Sequence, residues 1–243
     1  MVCTAGITDS LEWVRLYPIG YRYGPSHQRF RKYQWIDVDL VAEGHRGDRR
    51  KESRRPLPDT IRLLGDPLST EGNWRERRRI VDAMPHHTLS ELEALYERER
   101  VSLGIVRPDQ VTDLEVRAAA EAAWKPRWQA LFQQMPLFGE PQKSLRKIPY
   151  EFRYVFTWER DPRVHRALIE DWELGVLFLK ESERLGSDEA AAESVKVMFL
   201  ERMCAADRDT RFFVGTTLPY NTWLVLGVFW PPRTDDEQMS LLC

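Results

Sequence analysis

Tyr150, Phe152, Tyr154, Phe156 and Trp158 set five aromatic rings at strict alternation within the stretch from Ile148 to Trp158. Successive side chains of a strand point to opposite faces, so all five rings fall on one side of an extended segment. Such a segment is a core strand or a binding platform, and core is the commoner fate because aromatics dominate interior packing. A strand that is this apolar on one face needs partners, and where the chain supplies them sets the expected architecture.

Strand signals cluster at the two ends of the chain. Val2–Ile7 reads as a strand, and Trp13, Val14, Arg15 and Leu16 alternate well enough for a half-buried hairpin partner over Glu12–Pro18. Gln34–Val41 repeats the pattern, with Trp35, Asp37, Asp39 and Val41 on one face and the apolar Ile36, Val38 and Leu40 on the other. A shorter strand is expected at Thr60–Leu64, after Pro56 and Pro58. At the far end, Arg211–Thr217 and Thr222–Trp230 form a second hairpin around Leu218 to Asn221, closed by Pro231 and Pro232.

The middle is helical. Asn73 with Glu76 three residues on marks an N-terminus, and the helix runs over Trp74–Ala83 until Pro85 stops it. Thr88 with Glu91 opens another, carrying Leu89, Leu92, Leu95 and Tyr96 at helical spacing. A strand is expected at Leu114–Val116, before a third helix over Glu121–Met135, which starts or kinks at Pro126. After the aromatic strand, a helix over Val164–Leu185 closes at Gly186, with Leu168, Trp172, Val176 and Leu179 on its core face. Ser187 caps a further helix to about Cys204, with Asp188 and Glu189 in the turn where the dipole favours acids. These elements make an α+β fold in one domain. Terminal hairpins (1–68 and 147–232) form a curved antiparallel sheet or partial barrel, with a helical insertion at about 73–135 and two long C-terminal helices.

Composition narrows function by exclusion. With 42% apolar and 30% charged residues the chain is neither disordered nor of low complexity, and no run approaches the ~18 apolar residues of a membrane span. Met1–Ile7 carries neither a basic n-region nor a long apolar h-region, so residence in the cytoplasm is expected. Cys3, Cys204 and Cys243 are an odd number at long spacings and read as reduced thiols, without a metal-type pair. The adjacent His86 and His87 diverge and lack a third ligand at zinc spacing, no nucleotide-binding or hydrolase motif occurs, and no cofactor is expected. Arginine outnumbers lysine 29 to 7 at a net charge of -2. Guanidinium groups fork onto phosphate and stack on flat rings, so this bias fits directional contacts to an anionic or aromatic ligand, or else a GC-rich genome.

Three constellations carry candidate chemistry. On the expected long helix, Asp171 sits at the edge of the Trp172 face with Gly175 one turn on, which leaves space beside the carboxylate. Asp171 and Glu173, two apart, do not face each other. The run from Arg46 to Arg55 holds six basic residues against Asp48 and Glu52, and is either a phosphate-binding loop or a solvated one; Arg29, Arg31 and Lys32 extend the surface. Tyr17, Tyr21, Arg22 and Tyr23, with Tyr220, Asn221 and Trp223, put rings and polar groups at turns, as stacking on an unpaired base requires.

The stretches Val2–Ile7, Trp13–Ile19, Lys32–Ile36, Lys147–Tyr150, Asp171–Glu173 and Leu226–Pro232 together resemble a prokaryotic family met in mobile and defence neighbourhoods, across nearly the whole chain. The further association is with anti-phage DNA glycosylases that excise glucosylated hydroxymethylcytosine. That resemblance implies double-stranded phage DNA with modified bases as the partner, with no obligate protein partner. Arg49, Arg50, Lys51, Arg54, Arg55, Arg75 and Arg78 would hold its backbone. Arg15, Tyr17, Tyr21, Arg22, Tyr150, Trp172, Asn221 and Trp223 would line the base pocket, and Asp171, or Glu12, would stabilise the cationic sugar or activate water. Two other classes use the same residues: a non-catalytic reader of modified DNA or RNA, which tolerates loss of its acids, and a nuclease, which needs clustered carboxylates around Mg²⁺.

Overall fold

A computed structural model describes residues 2–20, 26–41, 48–121, 146–158, 161–217 and 221–234. Among them lie four α-helices and twelve strands in several sheets, none closed into a barrel, which makes the fold α+β. The expected helix at Glu121–Met135 falls, beyond Glu121, outside the described residues. The chain divides into two compact units: residues 1–107 with 211–222 and 231–243, and residues 108–210 with 223–230.

The first unit opens with the expected hairpin. β1 (Val2–Ile7) pairs antiparallel with β2 (Trp13–Ile19), and β2 continues in parallel to β4 (Ser53–Arg54). The Gln34–Val41 strand shortens to β3 (Trp35–Asp37), which pairs with β5 (Arg62–Leu64), itself preceded by a 3-10 turn over Pro58–Thr60. Leu40 meets Pro56 in a single bridge, and proline has no N–H with which to extend a ladder, so the intended apolar face ends there and leaves Leu40 exposed.

α1 (Glu71–Val81) begins differently from expectation. Asn73 is no cap: Gly72, Asn73 and Trp74 take left-handed φ of 57, 56 and 59°, the right-handed part starts at Arg75, and the cap position falls on Thr70. The Glu76 carboxylate accepts from Ser69 N instead of serving Asn73. Glycine and asparagine enter the left-handed region readily, but for a side chain as bulky as Trp74 it costs on the order of 1–3 kcal/mol. α2 (Leu89–Glu99) has the capping box read from Thr88 and Glu91, both hydrogen bonds being present. Its Leu89, Leu92 and Tyr96 are buried on a third sheet of β6 (His86–His87), β7 (Leu103–Val106) and β11 (Arg211–Thr216). Gly104 on β7 is required there, because a Cβ would stand 2.7 Å from Leu92 Cδ2.

In the second unit the aromatic strand is β9 (Tyr150–Trp158), central between β8 (Gln110–Ala118) and β10 (Asp161–Leu168). Phe152, Tyr154, Phe156 and Trp158 are buried and Tyr150 is half-buried, so the face is core. Each such ring contributes roughly 1.5–3 kcal/mol by burial. α3 (Trp172–Leu185) lays Phe178 against Phe152 and Tyr150, with ring centroids 6.2 and 6.0 Å apart. The first five residues of the helix expected from Val164 are thus strand, and the helix itself starts at Trp172. Residues 165 to 168 pair in register with β9, and the core face of the true helix is Leu174, Phe178 and Ser182, which turns Trp172 outward, 48% exposed. α4 (Asp188–Lys196), capped by Ser187 as expected, runs into a π-helix over Val197–Arg202. The Phe199 carbonyl accepts from the Tyr154 hydroxyl at 2.7 Å and from Cys204 Sγ, and burial pushes that thiol up to about 12. β12 (Trp223–Phe229) completes the unit through a parallel bridge from Val225 to Ile169.

Candidate functional site

The basic run is where the first unit concentrates its polar chemistry, and the backbone sorts its residues into two sets. Asp48, Arg50, Glu52 and Ser53 turn inward, while Arg49, Lys51, Arg54 and Arg55 are exposed. Arg50 holds the Asp48 carboxylate through Nε and Nη2, the shortest contact being 2.6 Å, and its Nη1 donates to the Thr216 carbonyl at 2.8 Å. Ser53 Oγ donates to Asp48 Oδ2 at 2.7 Å. Burial raises the Asp48 carboxyl, but the hydrogen bonds from Arg50 and Ser53 outweigh it and hold the group at about 2.

Beside this pair lies a second one. Glu52, buried, accepts from the Ser102 backbone N–H and hydroxyl, both at 2.8 Å. Arg15, 4% exposed, donates through Nη2 to Ser102 O and Oγ at 3.0 and 3.1 Å and through Nη1 to Cys3 Sγ at 3.4 Å. Each buried charge therefore has an opposite or dipolar partner, the condition under which burial of ions is tolerated. The network ties the run to β2, to Ser102 just before β7 and to Thr216 at the end of β11, so the outward side chains leave a fixed backbone.

The fold also extends the outward set. Lys51 N donates to the Arg100 carbonyl at 3.0 Å, which brings the C-terminal end of α2 alongside the run with Arg98 and Arg100. Lys51 Nζ reaches Glu99 at 3.2 Å, and Arg98 and Arg100 contact Glu99 and Glu97. The exposed cations of the two segments are Arg49, Lys51, Arg54, Arg55, Arg98 and Arg100, and Glu97 and Glu99 pair with three of them. Arg100 sits at a left-handed φ of 60° and lies over the Tyr96 ring, whose hydroxyl donates to Asn221 Oδ1 at 2.7 Å.

Residues 85–242, well over half of the chain, match a family described as a domain of unknown function (DUF8757). The chain belongs to the DUF8757 family. Residues 1–83 match a second domain of unknown function (DUF8758). No curated protein and no solved structure matches the chain. The polar network joins the two matched stretches of this DUF8757 chain: Arg15, Asp48, Arg50, Glu52 and Ser53 come from the DUF8758 stretch, and Ser102 and Thr216 from the DUF8757 stretch.

The other expected site residues are dispersed. Asp171 is not in mid-helix but caps α3: its Oδ1 accepts from Glu173 N at 2.8 Å and its side chain is buried. The space read beside Gly175 is filled by Ile148, whose Cδ1 lies 3.5 Å from where a Cβ would stand. Glu12 is exposed at the β1–β2 turn, its N–H bonded to Thr8 Oγ1. Arg15 belongs to the buried network and Trp223 to the core, whereas Tyr17 is exposed. Tyr150 is half-buried against Phe178, and Tyr21 and Arg22 lie outside the described residues. Arg75 is exposed on α1, while Arg78 is engaged by the Asn73 and Pro232 carbonyls. A crevice of about 470 Å³ at the α3–α4 turn is lined by Arg146, Ser182 and Asp188, which are bonded to one another. Among the described residues no three of His, Cys, Asp and Glu converge as a metal site, and no helix is long and apolar enough to cross a membrane. Sequence reasoning missed Ser102, Thr216, Arg98 and Arg100. The two arginines carried a readable signal, the charge of the α2 C-terminus, but nothing local placed them beside Lys51.

Proposed function

We propose that this chain acts on nucleic acid, held through its phosphates by the outward cations of the first unit. The observation that carries the reading is the sorting of residues 48 to 55: the acids of the run are turned inward on Arg50, Ser53 and Ser102, and Arg49, Lys51, Arg54 and Arg55 project from a braced backbone beside Arg98 and Arg100. A solvated loop has no need of such bracing. Guanidinium groups suit the forked contact with phosphate, and that of Arg54 is directed by the Lys51 and Ser53 carbonyls, which accept from its Nη1 at 2.9 Å.

The finer reading is excision of a modified cytosine from phage DNA, with Asp171 or Glu12 at the glycosidic bond. It is supported by the resemblance of the stretches given above. The non-catalytic reader is the second reading, favoured by the capping role of Asp171 and the exposed turn position of Glu12. One experiment separates them. The purified protein is titrated with ordinary and with glucosylated phage DNA in EDTA, and released base is scored by mass spectrometry. Six phosphate contacts give a slope of log K on log salt of about -5, and replacing Arg49, Lys51, Arg54 and Arg55 by alanine lowers its magnitude by about 3 to 4. Base release confined to glucosylated DNA supports excision. Binding without release supports the reader. Absence of binding at low salt sinks the whole reading.

A further inference from the structure

Six non-glycine residues take left-handed φ in the described chain, and three of them, Tyr33, Asn73 and Trp74, gather with Gly72 at one place in the first unit. The Tyr33 and Trp74 rings meet edge to face, with centroids 6.5 Å apart at 77°. The Arg77 guanidinium carbon stands 4.1 Å from the Tyr33 centroid and 5.0 Å from that of Trp74, and Lys32 Nζ stands 5.8 Å from Tyr33. Leu68 links the two segments, its N–H donating to the Tyr33 carbonyl and its carbonyl accepting from Arg77 Nε at 2.7 Å. Behind them the Tyr33 ring rests on Phe213, 6.5 Å away. Asn73 Oδ1 is buried without a hydrogen-bond partner, a second cost at the same spot.

A tryptophan in the left-handed region and an unsatisfied buried amide oxygen are expensive, and strain of this kind persists where surrounding structure enforces it, often at binding sites. Here it produces a half-buried pair of rings with a guanidinium across them, flanked by the exposed Arg31, Arg75 and Arg79. Flat rings among cations are what an unpaired nucleotide recognises: its base stacks on the aromatic face, and its phosphates meet the arginines. We infer that Tyr33, Trp74 and Arg77 form a stacking site for an unpaired base of single-stranded nucleic acid. This inference rests on the nucleic-acid reading above and adds to it a strand state and a second contact surface.

The test is fluorescence anisotropy with labelled (dT)12, (rU)12 and a 12-base-pair duplex at one salt concentration. Trp74→Leu lowers affinity for the single strands about tenfold and leaves the duplex within about twofold, as loss of one base stack requires. Trp74→Gly gives the same loss while fitting the left-handed φ, so a melting temperature no lower than that of Trp74→Leu separates lost stacking from lost folding. Arg77→Lys, which keeps the charge, also weakens single-strand binding with an unchanged salt slope. The ratio of (dT)12 to (rU)12 affinity tells DNA from RNA. Equal effects of Trp74→Leu on all three ligands, or no effect on any, overturn the stacking site while duplex binding through the outward cations stands. If none of the three binds, the nucleic-acid reading itself fails and takes the stacking site with it.

Discussion

Asp48 and Glu52 are acids within a run of cations, and their inward contacts make the run a structural part of the first unit. The Asp48 carboxyl is held at about 2, below the ordinary 3.8, so its ionised form stabilises the fold above pH 4 and that contribution fades as pH falls through about 2. Asp48→Asn is therefore expected to cost about 2–3 kcal/mol at pH 7, since it also leaves the buried Arg50 without its counter-charge. Urea denaturation of both proteins at pH 7, 4 and 2.5 checks this, and a difference undiminished at pH 2.5 refutes it. This network was only half legible in the sequence. The run itself was visible as a patch of charge, but which members face inward depends on Ser102 and Thr216, which are 50 and 166 residues along the chain from Glu52 and Arg50, and no local pattern carries that. Asp171 misled for the opposite reason: its local pattern was strong, but the turn that it caps begins one residue later, where an N-terminus is a commoner task for aspartate than catalysis.

At the scale of elements, α2 and β7 approach as closely as Gly104 allows. Leu92 is fully buried against it, so the terminal methyls that a new Cβ would meet at 2.7 and 3.0 Å have little freedom to move. Gly104→Ala should destabilise by about 1–3 kcal/mol, and Leu92→Val in the same chain should recover part of that loss. Thermal denaturation of the two single variants and the double variant measures the coupling; additive effects would show that the two residues do not compete for space. The elements best read from sequence are those whose local and tertiary demands agree. The capping box at Thr88, the Ser187 cap, the first hairpin and the alternating strand β9 all formed as expected. Misreadings arose where two elements share one apolar run. Only Ile169, Glu170 and the Asp171 cap separate the end of β10 at Leu168 from the start of α3 at Trp172, and a helical period fits across that junction by coincidence. At Asn73 a good cap residue was used for its tolerance of left-handed φ instead.

For the whole molecule, the two matched family stretches do not coincide with the two compact units. The boundary near residue 84 cuts the first unit, whose β6, α2, β7 and β11 lie on the other side of it. Fragments 1–83 and 85–242 made separately would leave Ser102 without Glu52, Arg15 without Ser102 and Arg211 without Asp82. Each fragment alone is therefore expected to lack a cooperative melting transition in its first-unit part, and co-expression should restore a stable complex; circular dichroism and size-exclusion chromatography decide the point, and an independently folded 1–83 would overturn it. The same interleaving sets a schedule for synthesis. The ribosome delivers β1 to β7 early, yet their unit stays open until β11, roughly a hundred residues later, leaves the exit tunnel. At about 5–20 residues per second that is a wait of roughly 5–20 s, during which the β7 edge, uncharged from Leu103 to Val106, is available to any passing strand or chaperone.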